Sequence, residues 1–317
     1  MRPLALFSAW QRRFFAPAPL LDLGVVRVLV VALQLFVMLF PYALFTFPVW
    51  GRLELLAALP DAKWEPLPIV RALLLPFFGG ERPPLAALLW LQRATIAAGF
   101  LALVGLATRP ALFLFALGNL LISGYGYCYG EHHHIEALTI VLLFAMALAP
   151  AGGALSLDAW RARRRGAGVA ATTLHPEAGW PLELLRWMFS LCYLSAAVCK
   201  LGASGLDWLN GFTLQGYLLQ EGIFWGTASS VWLADHHLLC IALSWYALLV
   251  EGLFPLVLWK RRLAWFFVPA AAALHLGIWV TMRAPFWLYL PLYAVFVPWT
   301  RLLARGAPLA PAEPARK

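Results

Sequence analysis

The sequence predicts an all-α integral membrane protein, a bundle of about eight transmembrane helices, and three observations carry that prediction. Of its 317 residues, 62% are hydrophobic and 12% charged, with a mean hydropathy of +0.77. An ordinary soluble domain carries about 25% charged residues. So few polar groups cannot cover a water-facing surface, and lipid must be the solvent. The 16 Trp and 9 Tyr suit a bilayer interface, where amphipathic rings collect. The third observation is the placement of the net charge of +9, which sits in short clusters between apolar runs. That is the footprint of topology signals, and it argues against nucleic acid as a partner.

A membrane helix needs about 20 largely apolar residues. Eight segments qualify, at 24–46, 86–106, 110–127, 134–150, 182–201, 237–258, 263–282 and 284–300. The first is long and lacks a small-residue cleavage site, so it is expected to stay as a helix. The fourth is short, and the third and fourth are expected to form a tight hairpin. With the N-terminus in the cytoplasm, fifteen basic residues fall on the inner side and five on the outer, as the positive-inside rule requires. Both termini are then cytoplasmic. Outer loops at 47–85 and 202–236 are long; the first holds an apolar stretch, Ile69 to Phe78, able to lie in the interface, and the second, with Asp207, Glu221, Asp235 and several aromatics, has room for a short amphipathic helix. The Arg- and Ala-rich segment 159–181 reads as a connector. One transmembrane domain is expected over 1–305, followed by a disordered Pro/Ala-rich tail over 306–317.

Ionisable groups inside a membrane are costly, and each is a functional candidate. Only four of the 24 basic residues are lysines, and Lys200 alone lies in an apolar run. Arg186, Tyr193 and Lys200 are spaced by seven, so they drift only about 20° per step around a helix. They form one polar stripe. Two readings fit Lys200: a desolvated general base, or an anchor snorkelling to the interface. Six of the seven histidines fall on the outer side: His132, His133, His134, His236, His237 and His275. Histidine suits proton transfer near neutral pH. The triple histidine and His275 read as functional, and His236 and His237 as solvated loop residues. Glu251, Arg27 and Arg93 read as interhelical pairing groups. Adjacent histidines do not share a helix face, and no metal motif appears; no metal is expected. Cys128, Cys192, Cys199 and Cys240 show no paired metal spacing, and the three that fall inside or at the edge of apolar runs read as small buried hydrophobes. Phosphate-binding, dinucleotide and nucleophile-elbow motifs are absent from the sequence.

The segment Tyr193-x-x-Ala196-Ala197-x-x-Lys200-Leu201, followed by Asp207-Trp208, Gly211 and Tyr217, resembles the lysine motif of the vitamin K-dependent γ-carboxylase family. The wider group is the horizontally transferred transmembrane (HTTM) domain family. In order along the chain, Arg27, then His132–His134 with Ser156-Leu157-Asp158, then Glu251, His275 and Phe286 fit the same pattern. The resemblance covers most of residues 20–300. It implies oxidation of a reduced naphthoquinone (vitamin K or menaquinol-like) by O₂, coupled to proton abstraction and CO₂ addition at a glutamate γ-carbon. Lys200 would be the base, with His133 or His134 assisting and His275 lining the same cavity. Tyr193, Trp208 and Arg93 would contact the substrate. Ala197 stands where the motif has Gly, Cys199 replaces a residue basic in the animal enzymes, and three extra residues separate Lys200 from Trp208. The large lumenal portion of the animal enzymes has no counterpart here. The expected reaction is therefore quinol-linked chemistry on another substrate, with a secreted peptide or protein as one candidate. Arginine usage and brevity point to a bacterial cytoplasmic membrane with the active side outward. A second expectation comes from a DoxX-like resemblance: a non-catalytic membrane subunit of a redox or export complex.

Overall fold

The apolar runs fold as helices in the computed structural model, which describes residues 3–43, 49–130 and 136–304. In chain order these are α1 (Pro3–Phe14), α2 (Leu20–Leu39), α3 (Leu53–Ala57), α4 (Pro68–Leu73), α5 (Leu85–Val104), α6 (Thr108–Tyr127), α7 (Ala137–Leu148) and α8 (Leu157–Arg164). They continue as α9 (Gly179–Ser204), α10 (Phe212–Trp225), α11 (Ala228–Ala234), α12 (His237–Leu253), α13 (Leu256–Trp259), α14 (Ala264–Met282) and α15 (Trp299–Leu303). The one sheet among the described residues is a two-residue antiparallel bridge, β1 (Ala18–Pro19) with β2 (Leu174–His175).

Among the described residues six helical stretches are long and apolar enough to cross a membrane: Leu20–Leu39, Leu85–Val104, Thr108–Tyr127, Gly179–Asn210, His237–Trp259 and Arg261–Met282. The chain is an all-α, multi-pass membrane protein. Two of the eight expected segments are shorter. Helix α7 has 12 residues, about 18 Å at 1.5 Å per residue, against a hydrocarbon core of about 30 Å. The last segment folds as a 3-10 helix over Phe286–Phe296. Pro285, Pro291 and Pro298 explain this, since each removes a backbone donor and clashes with the preceding turn. Helix α2 starts four residues before its expected boundary and stops at Phe40, because Pro41 disfavours helical geometry in the residue before it.

The chain divides into two compact units. One comprises 1–184 with 297–317, the other 185–296, so the boundary falls within α9 and the second unit is an insertion in the first. In the first unit, α5 packs on α6 and α2, and α6 on α7. Val26, Val30, Leu112, Phe115, Ile122, Leu143 and Met146 are fully buried there. Small residues set the spacing. A Cβ added to Gly118 would fall 1.9 Å from the Thr95 hydroxyl oxygen, and one on Gly99 2.7 Å from both Leu35 and Phe115. Such close approach is how membrane helices gain packing energy without water to drive them. A buried amide pair, Gln34 Nε2 to Asn119 Oδ1 at 2.5 Å, joins α2 to α6. Helix α15 returns to α2, where Asp22 accepts bonds from the Thr300 N–H and hydroxyl, both at 2.7 Å.

In the second unit, α9, α12, α14 and the 286–296 segment enclose an aromatic core. Phe189 stacks on Tyr293 at 4.8 Å, and Tyr193 meets Phe254 at 4.5 Å. Helix α9 shows why this face is internal. Leu191, Leu194, Val198 and Leu201 are exposed along one side, as a lipid-facing stripe requires. Arg186, Tyr193 and Lys200 lie on the other. A smaller cluster of Leu218, Ala234 and Cys240 joins α10, α11 and α12.

Candidate functional site

Lys200 ends the polar stripe of α9 and meets Glu251 of α12. Its Nζ lies 2.9 Å from Oε1 and 2.8 Å from Oε2 of that carboxylate. The side chains are 22% and 10% exposed, so the pair is largely withdrawn from solvent. After α9 the chain turns through a 3-10 helix, Gly205–Asn210, and carries Trp208 back over the lysine, with Nζ 5.3 Å from the ring centroid. Gly211 makes that turn possible. Its φ is +85°, a conformation unfavourable for residues with a Cβ, and an added Cβ would sit 2.7 Å from the backbone nitrogen of Ile241. The Asp207-Trp208 turn therefore closes directly against α12.

These groups border a cavity of about 240 Å³. Its walls are mostly apolar, from Leu214, Leu218, Leu243, Leu274 and Ile278, with Lys200, Glu251, Trp208 and Tyr217 supplying the polar or amphipathic edges. Ligand sites have this character, though they run from about 300 Å³ upward. Tyr246, on the wall, donates its hydroxyl to the Ala270 carbonyl at 2.6 Å, and Thr281 donates to Gly277 at 2.8 Å. Both hydroxyl protons are thus held by backbone.

His275 lies on another face of α14. It is buried, and the residues lining the cavity from α14 are Ala273, Leu274, Gly277, Ile278, Thr281 and Met282. Its Nε2 is 3.2 Å from the Tyr193 hydroxyl and its Nδ1 3.2 Å from the Tyr293 hydroxyl. The two phenols also bond each other. Three bonds need three protons, one from each phenol and one from a neutral imidazole. Phe286 stacks on the imidazole at 5.3 Å, closing another side.

The structure thus brings Lys200 and Trp208 to one cavity and joins Tyr193 to His275 in an adjoining buried cluster of the same unit. Arg93 is exposed on α5, its guanidinium 5.3 Å from the Trp90 ring. His133 and His134, with His132, lie outside the described residues. His236 is exposed and bonds the Trp232 carbonyl at 2.7 Å, while His237 meets Gln215 at 3.0 Å. Among the described residues no three His, Cys, Asp or Glu side chains gather as a metal site.

Sequence reasoning missed two partners. Glu251 was grouped with Arg27 and Arg93 as a pairing residue, and its partner is Lys200. Tyr293 carried no signal beyond its spacing of four from Tyr289. Arg27 is fully buried in the first unit and donates through Nη2 to the Leu155 carbonyl. Its Nε and Nη1 have no partner among the described residues. The Ser156-Leu157-Asp158 stretch has a structural part there. Asp158 takes bonds from the N–H of Ala107 at 3.1 Å and of Thr108 at 2.8 Å, and from the Thr108 hydroxyl at 2.7 Å. Burial pushes the Asp158 carboxyl up, but these bonds and the Arg161 charge outweigh it and hold it below its usual value.

No family model, curated protein or solved structure matches the chain. The HTTM resemblance rests on the motif residues quoted above.

Proposed function

We propose that the chain is a membrane-embedded, quinol-linked enzyme of the γ-carboxylase type, with Lys200 as its base. The observation that carries this reading is the Lys200–Glu251 pair at the edge of an apolar cavity. A reduced naphthoquinone bound there would supply reducing electrons for O₂ and an acidic hydroxyl. Lys200 can take a proton only as an amine, and arginine at this place could not. A carboxylate 2.8 Å away offers a route to that state: passing one proton from Nζ to Glu251 gives an amine and a carboxylic acid without any outside acceptor. The apolar walls keep water from competing for the proton, and Trp208 covers the ammonium face with its ring. The finer topology belongs to the same proposal: eight crossings, both termini cytoplasmic, the cavity toward the outer side of a bacterial membrane, and a secreted peptide or protein as the second substrate.

The test is O₂ uptake by purified protein in detergent with menaquinol, alongside a thermal melt. Lys200→Arg keeps a charge but removes the base, and activity should fall about 10²–10⁴-fold. Lys200→Ala should fall as far and recover in part with a small added amine. Full activity in a folded Lys200→Arg protein sinks the proposal. A second reading is favoured by one observation, that both Glu251 oxygens hold the lysine. A closed ion pair also suits a non-catalytic, DoxX-like subunit. That reading expects no O₂ uptake by the wild type and a stable partner on gentle extraction.

A further inference from the structure

Helix α8 is short, basic and fixed in place. Leu157, Trp160, Arg161 and Arg164 are spaced i, i+3, i+4, i+7, which is one helical face, and all four are exposed. Arg163 and Arg165 are exposed beside them. The Arg164 guanidinium lies 4.2 Å from the Trp160 ring centroid. No carboxylate among the described residues forms an ion pair with these four arginines. Asp158 is near Arg161, but its oxygens are committed to Thr108 and Ala107.

The base of α8 is bound to three membrane helices. Ser156 caps it, accepting from the Ala159 N–H at 2.9 Å. Asp158 caps the start of α6, and its own N–H bonds the Gly105 carbonyl, just past α5, at 3.0 Å. The Leu155 carbonyl takes the Arg27 guanidinium of α2. The arginines are therefore held where α5 ends and α6 begins, the level at which spanning helices meet lipid headgroups. Trp and Leu on the same face as Arg suit that boundary, where one side is apolar and the other charged. A face made only for an acidic protein would not need exposed Leu157 and Trp160 beside the charge.

We propose that α8 is a binding site for anionic phospholipid. Arg161, Arg163, Arg164 and Arg165 hold headgroup phosphates, and Leu157 and Trp160 sink among the upper acyl carbons.

The experiment uses the full chain in phosphatidylcholine nanodiscs with trace spin-labelled phosphatidylglycerol or phosphatidylcholine. The motionally restricted fraction gives a relative association constant. The wild type should favour phosphatidylglycerol several-fold. Arginine charge carries that preference, so the double variant Arg161→Gln/Arg164→Gln should bind the two lipids nearly equally. Arg161→Lys/Arg164→Lys should keep the preference, and Trp160→Ala should weaken it. Equal association of the two lipids with the wild type overturns the proposal, whatever the variants do. So does an unchanged preference in a folded double-Gln protein. Loss of the preference on adding millimolar inorganic phosphate would make this a phosphate site, and loss on adding a poly-glutamate peptide a protein-docking face. Either also overturns it.

Discussion

Replacing Lys200 and Glu251 by methionine, singly and together, separates what the ion pair does for stability from what it does for chemistry. The bonds are 2.9 and 2.8 Å, and the Glu251 side chain is 10% exposed. Lys200→Met strands that carboxylate in an apolar surround, and removing one partner of a buried pair costs about 3–5 kcal/mol. Glu251→Met strands a lysine that is 22% exposed and faces Trp208, so its cost should sit at or below the lower end of that range. The double variant has no charge left to desolvate and fills similar volume, and it should lie within about 1 kcal/mol of wild type. The coupling energy is then about 4–8 kcal/mol in magnitude, measured by denaturant unfolding of the four proteins in one detergent. Additive single effects, with coupling under about 0.5 kcal/mol, would refute the reasoning that the pair is a buried unit. O₂ uptake adds the second axis: the double variant should regain stability and remain inactive.

Three further outcomes follow from the geometry. Gly118→Ala should lose about 1–3 kcal/mol by overpacking against Thr95, while Gly216→Ala, with nothing within 4 Å of the new Cβ, should melt like wild type. A carboxyl whose pKa is lower in the folded state stabilises above its unfolded value and loses that contribution as pH falls through the folded one. The melting temperature should therefore fall below about pH 4, and Asp158→Asn, lower at neutral pH, should make that fall shallower; a fall of unchanged slope counts against Asp158. Single cysteines replacing Arg163 and Glu221 in a cysteine-free background should label from opposite sides of sealed vesicles, and labelling from one side contradicts the eight-crossing topology.

The long helices were legible because an apolar run of about 20 residues has few other uses. The limits of the reading are as physical as its success. Hydropathy reports that 284–300 is apolar, but three prolines decide its geometry, and they turn it into a 3-10 segment. Hydropathy also gives depth and not azimuth. Glu251 could have met Arg27, Arg93 or Lys200 by depth alone, and only the rotation of α12 against α9 selects Lys200. The period of seven did carry azimuth, which is why the stripe of Arg186, Tyr193 and Lys200 was visible in one dimension. His275 was visible as a polar group in an apolar run, whereas Tyr293, its second phenol, was not. Gly211 illustrates a third kind of information. Its place in the motif had no stated reason until its backbone angle and its distance to Ile241 were known.

The bonds between Asp22 and Thr300 bear on how the protein is made. The partners are 278 residues apart in the chain. Synthesis at roughly 5–20 residues per second leaves Asp22 without this partner for about 15–55 seconds. The inserted unit at 185–296 is translated entirely within that interval. Completion of the first unit thus waits until the second has been translated, and a ribosome that stalls before Thr300 leaves the Asp22 side chain without these bonds.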